Sequence, residues 1–183
     1  AYSISCYLTV TDHLGETVNA HSAYTNTVPE PPPDLGLVPA STRFSPEYQT
    51  HLNRTFSQGD QQKWTFSCWV KRSDNFDGYN NIFATRDPAG GNATDCNIVF
   101  NPDGTLRTTI GPYNMFETEG VYLDPSNWYH IVWTMDTTYP ESKERTWLYV
   151  NGVQVPLNRS TNPGHNERLA LNGPYNTYLG CHP

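Results

Sequence analysis

From residue 43 onward, apolar and polar positions alternate in short stretches divided by turn residues. That is the two-residue period of β-strands, not the 3.6-residue period of helices. Residues 64–70 (WTFSCWV) place Trp64, Phe66, Cys68 and Val70 on one face, with Trp69 on the other. The pattern predicts a strand covered on both sides. Shorter strands are predicted at 81–85, 96–100, 106–110 and 175–179, and the longest apolar run, WYHIVWTM, at 128–135. NPDGT at 101–105 reads as a turn with proline second and glycine fourth. RTWLYV at 145–150 runs into Asn151-Gly152 and then QVPL, a strong hairpin signal. No segment sustains a capped helical period, so the chain reads as all-β, a sandwich or barrel.

Residues 1–42 follow a different pattern. SISCYLTVT alternates Ile4, Cys6, Leu8 and Val10 on one face, turns at Gly15, and leads to a weaker strand within TVNAHSAYT. Pro29, Pro31, Pro32, Pro33 and Pro39 follow, which favour an extended polyproline linker. The expected division is an N-terminal β-hairpin or arm at 1–28, a Pro-rich linker at 29–42 and a β-domain at 43–183.

Composition narrows the function. Eleven Lys and Arg against 18 Asp and Glu leave a net charge of −7 in 183 residues. That balance argues against a nucleic-acid partner, which needs a basic face. No apolar run is long enough to span a membrane. The four cysteines, Cys6, Cys68, Cys96 and Cys181, form no CxxC pair, so no zinc site is expected. Cys68 and Cys96 read as strand-bound, inert residues.

The order WTFSCWVKRS, NIFAT, NIVFNPDGTLRTTI, NWYHIVWTMD, RTWLYVNGVQV, YNTYLGC resembles a laminin-G-like, or concanavalin A-like, module. The resemblance covers about 43–181. It implies a two-sheet antiparallel jelly-roll sandwich. With SPEYQTHLNRTFSQGDQQ in front, the chain looks most like modules of phage and viral tail or capsid-associated proteins. Such modules normally add a further strand after YLG, so the expectation is a fragment lacking its last strand. ISCYLTVTDHLGETVNA resembles the end of an immunoglobulin-like or PKD-type repeat. Residues 1–25 are expected to occupy the vacant edge of the jelly roll, in the same chain or a neighbouring subunit.

The fold resemblance also raises hydrolysis, because related glycoside hydrolases carry closely spaced acids on one strand. The nearest match is Glu117-Thr-Glu119, which lacks a third acid and reads as solvated loop acids. No enzymatic activity is expected. Oxygen-rich loops hold Asp74 and Asp77, then Asp87 and Asp95, and the resemblance implies calcium at such a rim. The plainer reading of those residues is Asx-turns. Tyr79, Asn80, Tyr113, Asn114, Tyr139, His165, Asn166 and Tyr175 fall in expected loops. They supply the rings and planar polar groups that sugar recognition uses. His130, in WYHIVW, reads as a hydrogen-bonded core residue.

Two functions fit these readings. The first is a structural or decoration module on the exterior of a virus particle or extracellular appendage, contacting copies of itself or other subunits. The second is a lectin-like module attaching the particle to host glycans, with calcium as a possible requirement.

Overall fold

The structure, a computed structural model, describes residues 2–5, 10–11, 17–18, 41–44, 50–72, 78–89, 95–111, 114–159 and 162–181. All strands pair antiparallel, and two sheets carry the fold. The six-stranded sheet runs β13 (Val153–Gln154), β12 (Thr146–Val150), β11 (Trp128–Asp136), β6 (Lys63–Lys71), β1 (Tyr2–Ser5), β4 (Thr42–Phe44). The seven-stranded sheet runs β14 (Leu157–Arg159), β10 (Asn114–Val121), β9 (Thr105–Ile110), β8 (Asp95–Phe100), β7 (Asn80–Arg86), β15 (Asn176–Leu179), β5 (Leu52–Thr55). A separate ribbon pairs β2 (Val10–Thr11) with β3 (Thr17–Val18). The chain is thus the two-sheet antiparallel sandwich that its pattern implies.

The alternation explains the core. β6 sends Trp64, Phe66, Cys68 and Val70 inward, and β11 answers with Met135, Trp133, Ile131 and Tyr129 in direct register. Across the seven-stranded sheet one inward row joins Leu52, Leu179, Phe83, Ile98, Thr108 and Phe116. The sheets meet where the Phe66 and Phe83 rings lie 4.6 Å apart. Trp133 donates from Nε1 to the Thr146 hydroxyl at 2.9 Å, so the buried indole keeps a partner.

Both anticipated turns form. Asn151 (φ 52°) and Gly152 (φ 79°) take the left-handed conformations that a two-residue hairpin requires. The NPDG turn closes with Gly104 N–H donating to Asn101 C=O at 3.0 Å, and Gly104 has φ 90°.

The structure differs from the sequence reading in four places. β10 is a strand, so Glu117 and Glu119 are strand residues rather than loop acids. Asn114 opens that strand opposite Ile110, and Asn80 is the buried first residue of β7, so neither lies in a loop. Trp69 is 43% exposed, so β6 is covered on one face only at that point. His130 is half-buried on the outer face of the six-stranded sheet, not in the core.

Residues 2–5 lie inside the six-stranded sheet. Ser3, Ile4 and Ser5 pair with Lys71, Val70 and Trp69 of β6, and Tyr2, Ser3 and Ile4 pair with Phe44, Arg43 and Thr42 of β4.

Candidate functional site

The side of the seven-stranded sheet away from the core is built from two cross-strand rows. One joins Asn53, Tyr178, Ala84, Asn97 and Thr109 through strands β5, β15, β7, β8 and β9. The other joins Asn81, Val99, Arg107, Glu117 and Asn158 through β7, β8, β9, β10 and β14. The strand period forces this arrangement: inward Cys96, Ile98 and Phe100 alternate with outward Asn97 and Val99.

The centre of this outer face is covered by its own side chains. Ala84 and Val99 are each 1% exposed and Asn97 is 7% exposed, although all three point away from the core. Taller side chains stand around them. The Arg107 guanidinium lies 4.7 Å from the centroid of the exposed Tyr79 ring. Tyr178 is half-buried, with the His51 ring 6.1 Å away. The Asn176 amide oxygen accepts from the Thr55 hydroxyl at the β15–β5 end. Glu117 Oε1 accepts from the Thr105 hydroxyl at 3.0 Å.

Two buried atoms on this face have no hydrogen-bond partner among the described residues. One is an acceptor, Asn97 Oδ1; the other is a donor, Arg107 Nε–H. Asn97 lies opposite Thr109, two residues along β9 from Arg107, so the pair are diagonal neighbours. Each orphan costs about 1–3 kcal/mol while unpaired.

The residues expected from sequence are distributed over several places. Tyr79 belongs to this face. His165 and Asn166 sit at a rim of the other sheet. There Asn166 N–H donates to Thr137 C=O at 2.8 Å, and His165 Nε2 lies 3.2 Å from Thr138 C=O. Buried Arg145 fixes that rim by donating to the carbonyls of Tyr139, Pro140 and Pro163 at 2.8, 2.7 and 2.6 Å. Half-buried Tyr175 hydrogen-bonds Asp87, whose carboxylate holds the phenol above its usual pKa. Tyr113 lies outside the described residues, as do Asp74 and Asp77.

Asp87 and Asp95 each have a local partner. Asp87 Oδ1 accepts from Ala89 N–H at 2.8 Å, an Asx-turn, and Asp95 pairs with Arg86 at 3.6 Å. Among the described residues no three His, Cys, Asp or Glu gather at metal-binding distance. Burial pushes the Cys96 thiol up to about 12, so it is no nucleophile at neutral pH, and Cys68 is buried in the core.

The six-stranded sheet presents a different outer face. Trp69 stacks on His130 at 4.8 Å and 18°, and the Ser67 hydroxyl lies 3.0 Å from His130 Nε2. Sequence reasoning overlooked Asn81, Asn97, Arg107 and Tyr178, because each sits in a strand. Their signal was the polar residue at alternate positions of NIFAT, CNIVF and TLRTTI.

A family model described as the concanavalin A-like lectin/glucanases superfamily, Laminin_G_3, matches residues 47–180. The chain belongs to this laminin-G-like family. Among curated proteins no sequence matches it. The family match begins beyond the Pro-rich stretch and includes every strand of the seven-stranded sheet. Superfamily membership covers lectins and glucanases alike, so binding and hydrolysis are separated by the site, not by the fold.

Proposed function

We propose that this laminin-G-like chain is a non-enzymatic, extracellular binding module that holds glycans on the outer face of its seven-stranded sheet. The exposed Tyr79 ring beside the Arg107 guanidinium, on the same outer face as half-buried Tyr178 and exposed Asn53, supports the reading. Rings of this kind stack on sugar C–H faces, and amides on both flanks fix hydroxyls. Hydrolysis is disfavoured because Glu117 and Glu119 form only a two-acid set, and Glu117 is already held by Thr105. A glycan array read with calcium and with chelator tests the reading. Signals lost in Arg107→Ala and Tyr178→Ala, with no sugar released during incubation, are the expected result. Silence across the array would remove it.

A second reading, compatible with the first, is a structural module on the exterior of a virus particle or appendage, working by subunit contact. The insertion of β1 between β6 and β4 favours it, because a short strand filling a sheet by backbone pairing is a transferable contact. Light scattering on the purified chain checks this; a strict monomer at all concentrations would count against it.

A further inference from the structure

The six-stranded sheet depends on its shortest long-range pairing. Among the described residues β4 ends the sheet and has β1 as its only partner strand, so β4 joins the sandwich sheet through β1. β1 contributes four residues and pairs at three positions on each side. β6, by contrast, pairs with β11 at nine positions. The slot beside Trp69–Lys71 is therefore filled by a strand held at only three positions on each flank.

We propose that β1 is an exchangeable donor strand, and that the slot between β4 and β6 accepts residues 2–5 of a second copy of this chain. The inference rests on the subunit-contact reading and names its element. β1 and β4 are adjacent antiparallel strands, with Ile4 opposite Thr42, yet residues 6–41 separate them in sequence. That connection carries five prolines, at 29, 31, 32, 33 and 39, each of which fixes its own φ and favours extension over return. A tether of this length presents its end to the slot at an effective concentration near the millimolar range. Copies arrayed side by side reach a comparable local concentration, so a neighbour's β1 competes for the same slot on equal terms. The backbone ladder formed is identical in either case, which is the condition for strand swapping. A swapped copy then holds two strands of its neighbour together, and neither slot is complete without the other chain.

The register supplies the test. Ser3 lies opposite Lys71, so Ser3→Cys with Lys71→Cys in the full chain places two thiols across the slot. Heavy-isotope and light-isotope chains are mixed in equal amounts at high concentration, oxidised gently, digested and mapped by mass spectrometry. The expected result is 3–71 links of which about a quarter join a heavy to a light chain, rising to about half when every β1 is swapped, as statistical exchange requires. Links confined to chains of one isotope overturn the exchange, and so does the absence of 3–71 links. If the chain still self-associates by light scattering, the subunit-contact reading survives that failure; if it does not, both fall. A second measurement avoids the engineered thiols. A fluorescent peptide of residues 1–11 is titrated into the unmodified chain. Saturable binding that is lost with an Ile4→Pro peptide supports the exchange, and no binding overturns it.

Discussion

The two outer faces of this sandwich are made by the same rule and end up unlike. On the six-stranded sheet, outward positions Thr65 and Trp69 are exposed, and even Ser67 and Val132 are only half-buried. On the seven-stranded sheet, outward Ala84, Val99 and Asn97 are as buried as the core. Strand periodicity sets only which side a residue points to. What lies above it is set by its neighbours' size. Small Ala84 and Val99 are covered by the larger side chains around them. Trp69 and His130 stack on each other instead, and Trp69 stays exposed on its sheet.

The sharpest way to break this comparison is to put the same charge on both faces. Ala84→Asp, between Tyr178 and Asn97, buries a carboxylate with no cation opposite it and should destabilise the fold by about 3–5 kcal/mol. Thr65→Asp on the other sheet should stay within about 0.5 kcal/mol, as an exposed substitution does. Urea unfolding of both variants measures the difference. Equal effects would mean that the two outer faces are equally open to water.

Binding sharpens it next. Arg107→Ala and Tyr178→Ala should each weaken glycan affinity about 10- to 100-fold, since about 1.4 kcal/mol is tenfold. Trp69→Ala should leave affinity unchanged if only the seven-stranded face binds. Calorimetric titration with a glycan positive on the array reads all three. Asn97→Leu then separates function from stability. It removes the orphan acceptor and substitutes a side chain of similar size, so stability should hold or rise by up to about 1 kcal/mol while binding falls.

Much of the fold was legible because strong alternation marks its central strands. Trp64, Phe66, Cys68 and Val70 mark β6, and Asn151-Gly152 marks the hairpin that follows β12. β10 was not legible, for a physical reason. Its inward Thr118 is buried by hydrogen bonding rather than by being apolar: its hydroxyl accepts from Leu106 N–H at 3.0 Å and donates to Gly120 C=O at 2.8 Å. A polar residue thus fills an apolar slot and hides the period. The site was hidden more deeply. CNIVF reads as a strand, and its pattern does not show what covers its outward positions. The residues of this face also come from positions as distant as 79, 97, 107 and 178, which only the strand order 9-8-7-15 brings together. Tyr79 alone was found from sequence, because it stands in the loop before β7.

The smallest expected effect distinguishes the sheets by their acid response. Asp103, in the turn joining β8 to β9, accepts from Thr105 N–H at 3.0 Å and from its hydroxyl at 2.7 Å. Those bonds hold its carboxyl below the ordinary value of 3.8. The folded state therefore favours the ionised form more than the unfolded chain does. Its contribution is present above the unfolded pKa and is lost as pH falls below about 4 through the folded value. The six-stranded sheet carries a counterpart in Asp136. Burial raises its pKa, but the Thr138 and Lys63 contacts outweigh that and leave it lowered. Asp103→Asn should flatten the acid limb of the stability curve slightly and leave neutral pH nearly unchanged, since the site is exposed. Thermal melting from pH 7 to pH 3, followed by near-ultraviolet signals from the tryptophans of the six-stranded sheet, reads the slope. If Asp136→Asn flattens that limb and Asp103→Asn does not, acid sensitivity belongs to the six-stranded sheet, and the turn joining β8 to β9 is held by its backbone alone.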